Sequence, residues 1–214
     1  MKKYSETKGY PLRLWNVSPA QEKLISELGF HTNITITEDS YDYIYLSEEL
    51  ISLKGRKFHK KRNHLKKSEL YNWEYSAITE KDFDECIVFC TSNYNSVSGN
   101  ESHSAIAEQY AINTYFSYFN EMELSGGIIR CDGKIIALSI GERLNSDTFC
   151  VHIEKADTDY QGSYPLINQK FAEHSAYAFK YINREEDMGL EGLRKAKRSY
   201  NPVFMVEKNT AEFI

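Results

Sequence analysis

The sequence has few of the residues that mark a metal centre or a secreted scaffold. Its four cysteines are scattered along the chain, at Cys86, Cys90, Cys131 and Cys150. No histidine or further cysteine lies near Cys86 and Cys90 to complete a zinc set. We therefore expect no metal site, and we expect a reducing, cytoplasmic compartment.

Long apolar runs and nucleotide-binding loops are also missing. No segment approaches the roughly 18 apolar residues of a membrane span, and the chain shows no signal peptide. It contains neither a Walker-type loop nor a G-x-G-x-x-G motif. If the substrate is a lipid, we expect the protein to meet it at the membrane surface or to receive it from a partner.

What the chain does have is enough apolar material for a core and one basic segment. Hydrophobic residues make up 41% of the 214 positions, and the net charge of −5 argues against a general nucleic-acid binder. Residues 55–70 are the exception, a helical segment with seven cations: Arg56, Lys57, Lys60, Lys61, Arg62, Lys66 and Lys67. This density is typical of a solvated face or of a site for RNA or anionic lipid. Asn63 shares a face with His59 that could point inward.

Turn and cap signals divide the first half into short elements. Residues 1–18 read as irregular, and Ser18 caps a helix from Pro19 to near Gly29. Further elements are a strand at 31–37, a strand at 43–46, a helix from Ser47, a strand at 73–78, a helix from Thr79 to about 95, a polar break at 95–102 and a helix at 103–121.

The second half predicts a mixed sheet. Strands at 126–131 and 134–144 meet at a hairpin turn, Asp132-Gly133. The remaining elements are a strand at 147–157, a helix at 163–178, a strand at 179–183, a helix at 190–200 and a strand at 202–208. A meander followed by strand–helix–strand gives an α/β (α+β) fold with a mixed central sheet flanked by helices.

Three stretches carry a family resemblance. They are DYIY…LISLKGRKFHKKRNHLKK, VHIEKAD…YQGSYPLINQKFAEH and YINREEDMGLEGLRKAKRSYNPV. Together they resemble the bacterial DUF2156 family, which is grouped with the C-terminal domain of phosphatidylglycerol lysyltransferase and has the GNAT acyltransferase fold. The resemblance implies that 41–214 form this GNAT-like domain. It also implies that 1–40 are the remnant of a joint to a missing N-terminal GNAT-like half, which a separate chain could supply.

The resemblance implies acyl transfer from one of two donors. Acetyl-CoA users of this fold present R/Q-x-x-G-x-G/A, whose N–H groups hold the pyrophosphate. The matching stretch, 159–164, keeps Gly162 but has Asp159 and Tyr164 at the outer positions. Lysyl-lipid synthases use aminoacyl-tRNA instead, whose phosphates the basic segment suits through Lys60, Lys61, Arg62 and Asn63. No cofactor is firmly implied, and aminoacyl-tRNA is favoured over acetyl-CoA.

Charged residues at the ends of two strands are candidates for the acceptor site. Strand alternation places His152 and Glu154 on one face, where the pair could orient a nucleophile or fix the strands structurally. After the strand at 179–183, the run Asn183, Arg184, Glu185, Glu186 and Asp187 lies where α/β folds place ligands. Arg184 could neutralise these acids, or Glu186 could bind an ammonium.

The last helix supplies the remaining candidates. Arg194, Lys197 and Arg198 share a face, and Lys197 matches the first lysine of the K-x-K-F-x-P ending of the lysyltransferases. By resemblance, Lys197 and Arg194 bind donor charge. Tyr200 is either a general acid or a packed aromatic residue.

These residues predict an acyltransferase that moves an aminoacyl or acetyl group to a lipid or small-molecule acceptor. The alternative is a non-catalytic binding or regulatory module of the same fold, which would recognise RNA or a charged metabolite.

Overall fold

The computed structural model describes residues 1–92 and 103–214, so the polar break predicted at 95–102 lies outside the described residues. The chain forms two compact units. We call Met1–Tyr45 with Arg184–Ile214 the terminal unit, and Leu46–Asn183 the central unit.

The central unit contains the mixed sheet. Its strands run in the order β4 (Trp73–Ala77), β5 (Ser125–Cys131), β6 (Lys134–Arg143), β7 (Thr148–Ala156) and β8 (Tyr181–Asn183). Neighbouring strands are antiparallel except β7 and β8, which are parallel. Asp132 and Gly133 both have positive φ, which the predicted two-residue hairpin requires. The strands predicted at 147–157 and 179–183 correspond to β7 and β8, and they pair in parallel.

Helices cover both faces of this sheet. They are α3 (Ser47–Ser52), α4 (His59–Leu65), α5 (Phe83–Ser92), α6 (His103–Ser117) and α7 (Ser163–Ser175). Ile112 of α6 packs with Leu138 of β6 on one face, whereas Leu166 of α7 packs with Ile136 on the other. Thr79 and Asp82 form the capping box that introduces α5.

The terminal unit consists of α1 (Lys2–Lys8), β1 (Arg13–Val17), α2 (Pro19–Glu27), β2 (Thr32–Thr35), β3 (Asp42–Leu46), α8 (Glu191–Arg198), β9 (Phe204–Val206) and β10 (Asn209–Phe213). Strands β1, β10 and β2 form an antiparallel sheet in that order, and β3 pairs with β9. The prediction that 1–18 are irregular is wrong. Strand β1 is specified by pairing with β10 from the far end of the chain, which no local signal reveals.

Candidate functional site

A β-bulge in β7 determines where His152 points. Ile140 pairs with Ile153 and Gly141 pairs with Val151, so His152 is the extra residue. The bulge puts His152 on the same face as Ile153, and its ring stacks on Tyr115 of α6 at 5.4 Å. The prediction that His152 and Glu154 share a face is therefore wrong, because strict alternation fails at a bulge.

The imidazole of His152 is held by a carboxylate that the sequence analysis missed. Its Nε2 lies 3.0 Å from Glu142 Oε1 on β6, and its Nδ1 lies 3.8 Å from Cys150 Sγ. Only 12% of the His152 side chain is exposed. A carboxylate on one ring nitrogen fixes the orientation and tautomer of the imidazole, which is the arrangement a general base needs. The one available signal was a glutamate directly after the largely apolar run 135–141 of β6.

Glu154 points to the opposite face of the sheet. Asn168 of α7 donates a hydrogen bond to Glu154 Oε2 over 3.0 Å. Lys155, on the α6 side, forms an ion pair of 2.6 Å with Glu108. Glu154 thus lies against α7, whereas His152 lies against α6.

The turn that would hold a pyrophosphate, residues 159–164, makes its hydrogen bonds within the protein. Four of its N–H groups donate internally, from Asp159 and Tyr160 to Asp157, from Gln161 to Tyr71 and from Ser163 to Tyr160. A Cβ on Gly162 would lie 2.8 Å from both His64 O and Ser68 N. Protein backbone therefore packs against this turn at Gly162.

Lys57 and Arg62 of the basic segment contact other parts of the protein. Lys57 forms an ion pair with Glu49 at 2.7 Å. Arg62 donates to the carbonyl groups of Leu53 and Gly55. Leu53 has a positive φ of 47°, so Arg62 stabilises a strained turn after α3.

The outer face of the segment stays open to solvent. Besides the paired Lys57, its exposed cations are Arg56, Lys60, Lys66 and Lys67, whereas Lys61 is half-buried. Asn63 Nδ2 lies 3.5 Å from His59 Nδ1, which confirms that these residues share a face. Both side chains are exposed, so the suggestion that they point inward is wrong.

In the terminal unit, Lys197 organises the loop after β8. Its buried ammonium donates to the carbonyl oxygens of Arg184, Glu185 and Glu186 over 2.5 to 3.1 Å. An ammonium has three N–H bonds, so these contacts match its donor capacity. Glu185 has a positive φ of 55°, and the Lys197 contacts hold the backbone in that conformation.

Arg184 and Tyr200 pack together. The Arg184 guanidinium lies 4.9 Å from the centre of the Tyr200 ring, whose edge meets Tyr45. Tyr200 is buried, which fits the packed alternative of the two predicted roles.

Two further predicted binding residues lie close to this loop. The carboxylate of Glu186 lies 3.6 Å from Lys208 Nζ, and Asn183 is buried at the end of β8.

Arg194 is paired with two carboxylates. It contacts Asp187, which is 1% exposed, and Asp39. Tyr43 also donates to Asp187 over 2.6 Å. Hydrogen bonds from Arg194 and then Tyr43, which outweigh the opposing effect of burial, lower the pKa of Asp187 to about 2. As arranged here, the charge of Arg194 is neutralised within the protein.

The low pKa of Asp187 predicts an acid-sensitive stability. Because the folded-state pKa lies below the unfolded value, the contribution is full above about pH 4 and disappears as the pH falls towards 2. We expect Asp187→Asn to lower the free energy of unfolding by about 2 kcal/mol at pH 6. Urea unfolding between pH 2 and 6 should show this difference shrinking on acidification. Asp159→Asn is the exposed control, and a difference that stays constant with pH would contradict the prediction.

This chain is similar to one family model and to several solved structures. The family model described as "Phosphatidylglycerol lysyltransferase, C-terminal" matches residues 1–212. A conserved protein of unknown function from Bacteroides thetaiotaomicron is 36% identical, with a TM-score of 0.88 over 99% of this chain and 73% of that one. A search of curated proteins by sequence found no match.

More distant solved structures share the fold. L-PGS from Bacillus licheniformis is 12% identical, with a TM-score of 0.69 over 98% of this chain and 70% of that one. A tandem GNAT protein from clavulanic acid biosynthesis is 9% identical, with a TM-score of 0.51 over 99% and 67%. The predicted GNAT-like α+β fold is thereby confirmed. Across residues 1–92 and 103–214, no helix is both long and apolar enough to cross a bilayer.

Proposed function

Because this chain belongs to the phosphatidylglycerol lysyltransferase C-terminal family, we propose that it transfers an aminoacyl group from aminoacyl-tRNA to a lipid or small-molecule acceptor. The family and the fold indicate a GNAT-like acyltransferase domain. The donor, the acceptor and the residue roles given below are parts of the proposal.

The observation that carries the choice of donor is the internally bonded turn at 159–164. Acetyl-CoA needs backbone N–H groups for its pyrophosphate, and here the N–H groups of Asp159, Gln161 and Ser163 donate to the protein itself. A negative charge at Asp159 adds repulsion. Aminoacyl-tRNA needs no such turn, because its reactive ester is held through RNA phosphates.

The open face of the basic segment supports an RNA donor. Lys60, Lys66 and Lys67 are exposed within two turns of one another, in a chain of net charge −5. Phosphate contacts of this kind supply sequence-independent affinity that falls with salt. An anionic lipid head group carries the same negative charge, so binding of lipid in place of RNA is the other outcome of the test.

His152 is the proposed general base. With Glu142 accepting the Nε2 proton, Nδ1 carries the lone pair that takes the proton of the acceptor hydroxyl or amine. The acceptor oxygen or nitrogen then forms its bond to the ester carbonyl carbon, the ester bond to the tRNA ribose breaks, and the leaving hydroxyl takes up the proton. Catalysis otherwise comes from positioning and from stabilising the tetrahedral oxyanion.

In this proposal Lys197 and Arg194 hold the loop after β8 in position. Lys197 holds the 184–186 carbonyls, and Arg194 is anchored on Asp187 and Asp39. The predicted roles of Glu154 in orienting the nucleophile and of Tyr200 as a general acid stay predictions.

The proposal is tested by offering both donors to the purified protein. We expect transfer of a radiolabelled amino acid from aminoacyl-tRNA to a lipid extract or amine pool, and no transfer from labelled acetyl-CoA. Transfer from acetyl-CoA alone would overturn the choice of donor. RNA binding without transfer from either donor would instead support a non-catalytic module. The observation that favours this alternative is that Lys197 and Arg194 each already contact groups of the protein itself.

A charge-neutralised variant tests the basic segment in the same experiment. Changing Lys60, Lys66 and Lys67 to glutamine should reduce the slope of log K against log salt for tRNA by about 2, since each single-strand phosphate contact contributes about 0.7. The matched control changes the exposed lysines Lys23, Lys81 and Lys134 to glutamine. An equal loss in both variants would show only the effect of net charge. Loss of binding to anionic vesicles, with RNA binding intact, would assign the segment to lipid.

A further inference from the structure

A cavity of about 690 Å³ opens in the terminal unit. It is bounded by the segment before β3, by the end of α8 and by β9. Its volume lies within the range of about 300 to 1,000 Å³ typical of small-molecule sites. Asp187 also lines it, together with Tyr43 and Arg194, which both donate hydrogen bonds to Asp187.

One part of the lining can receive an anion. Arg198 is exposed and, among residues 1–92 and 103–214, has no carboxylate partner, in contrast to Arg194 one turn earlier. Nearby on the lining, the Nδ2 atom of Asn201 is buried and has no hydrogen-bond partner in the described part of the chain. A buried donor without an acceptor is costly, so a ligand acceptor atom here would be favourable.

Another part of the lining can receive a cation. Tyr41 lines the cavity together with the exposed carboxylates Glu38 and Glu207. Burial raises the pKa of Tyr41, and the charges of Glu207 and Glu38 raise it further, so a negative potential surrounds the ring. The Tyr41 hydroxyl donates to Asn209 over 3.1 Å, and Asn209 donates to Glu22, which fixes the ring in place. A fixed aromatic face flanked by carboxylates suits an ammonium group.

We propose that this cavity binds a small zwitterion, with its ammonium beside Tyr41 and the two glutamates and its anionic group on Arg198 and the Asn201 amide. An α-amino acid and an aminoalkyl phosphate share this chemistry. The proposal does not depend on acyl transfer, because it concerns the binding of a free ligand by residues that have no catalytic role here.

Isothermal titration of the full chain with four probes tests the charge pattern. L-Lysine and phosphoethanolamine carry both charges, cadaverine carries only ammonium groups, and inorganic phosphate is only an anion. We expect at least one zwitterion to bind about tenfold more tightly than either single-charge probe, since each end adds a charge-assisted hydrogen bond. The tighter of the two zwitterions identifies the source as an amino acid or a head group. Equal binding of phosphate or of cadaverine would overturn the proposal, as would no binding at all.

Single substitutions then locate the site. Arg198→Gln should weaken zwitterion binding about tenfold through loss of the charge-assisted contact. Glu207→Gln should weaken it severalfold, mainly for the ammonium end. Lys195→Gln removes an exposed cation from the same helix but not from the cavity lining, and should leave the affinity unchanged. Wild-type affinity in Arg198→Gln, or an equal loss in Lys195→Gln, would contradict the site. No acyl donor is present, so these results are separate from those of the transfer assay.

Discussion

Replacing Lys197 with methionine is expected to lower the free energy of unfolding by about 3 kcal/mol, because three carbonyl groups lose a charged donor at once. Methionine fills a similar volume, so the cost comes from the carbonyls of Arg184, Glu185 and Glu186 and not from a cavity. Glu185 would then lose the contact that holds its positive φ. Urea unfolding at neutral pH measures the change.

Lys195→Met on the same helix is the matched control. Lys195 is exposed, so its replacement should alter the free energy of unfolding by less than about 0.5 kcal/mol. A similar, small effect for both variants would contradict the organising role of Lys197. If Lys197→Met kept its stability but lost transfer, the residue would act on donor charge directly, as the family resemblance implies.

Replacing His152 with glutamine is expected to reduce acyl transfer by roughly 100-fold or more, the usual contribution of a general base. Glutamine keeps polar atoms near Glu142 and the packing against Tyr115 in part, but it cannot take up a proton. Initial rates at saturating aminoacyl-tRNA measure the effect, because loss of proton transfer lowers kcat and leaves donor binding intact.

His31→Gln is the control, since His31 is an exposed histidine of the terminal unit. Glu142→Gln should give a smaller decrease than His152→Gln, because it removes only the group that orients the imidazole. A His152→Gln rate within threefold of wild type would rule out His152 as the base. Unfolding curves for each variant separate loss of catalysis from loss of fold.

Elements with local signals were predicted correctly. Ser18 and Gln21 form the capping box at the start of α2, and Asp132-Gly133 makes the turn between β5 and β6. In both cases the side chain or the backbone φ acts within four residues, so the sequence pattern contains the cause. Strands β1 and β10 lack such signals, and their pairing spans almost the whole chain.

For the candidate site, the sequence named residues but not their contacts. His152 was identified from its strand position and Lys197 from the resemblance. Glu142 was not recognised as the partner of His152, nor Asp187 as the partner of Arg194. Whether a charge is open to a ligand depends on what lies across from it in space. Arg194 and Arg198 are equivalent by helical spacing, yet within the described part of the chain only Arg194 has carboxylate partners.

The sequence by itself determined the order of helices and strands from α2 to β9, the family and the position of the basic segment, because each depends on neighbouring residues or on motif identity. Only the tertiary structure decided which face His152 occupies, what Lys197 binds and which cations remain exposed. A one-residue bulge in β7 reverses the side-chain alternation without any signature in the local sequence. Long-range pairing of strands and loops then assigns each charge its partner.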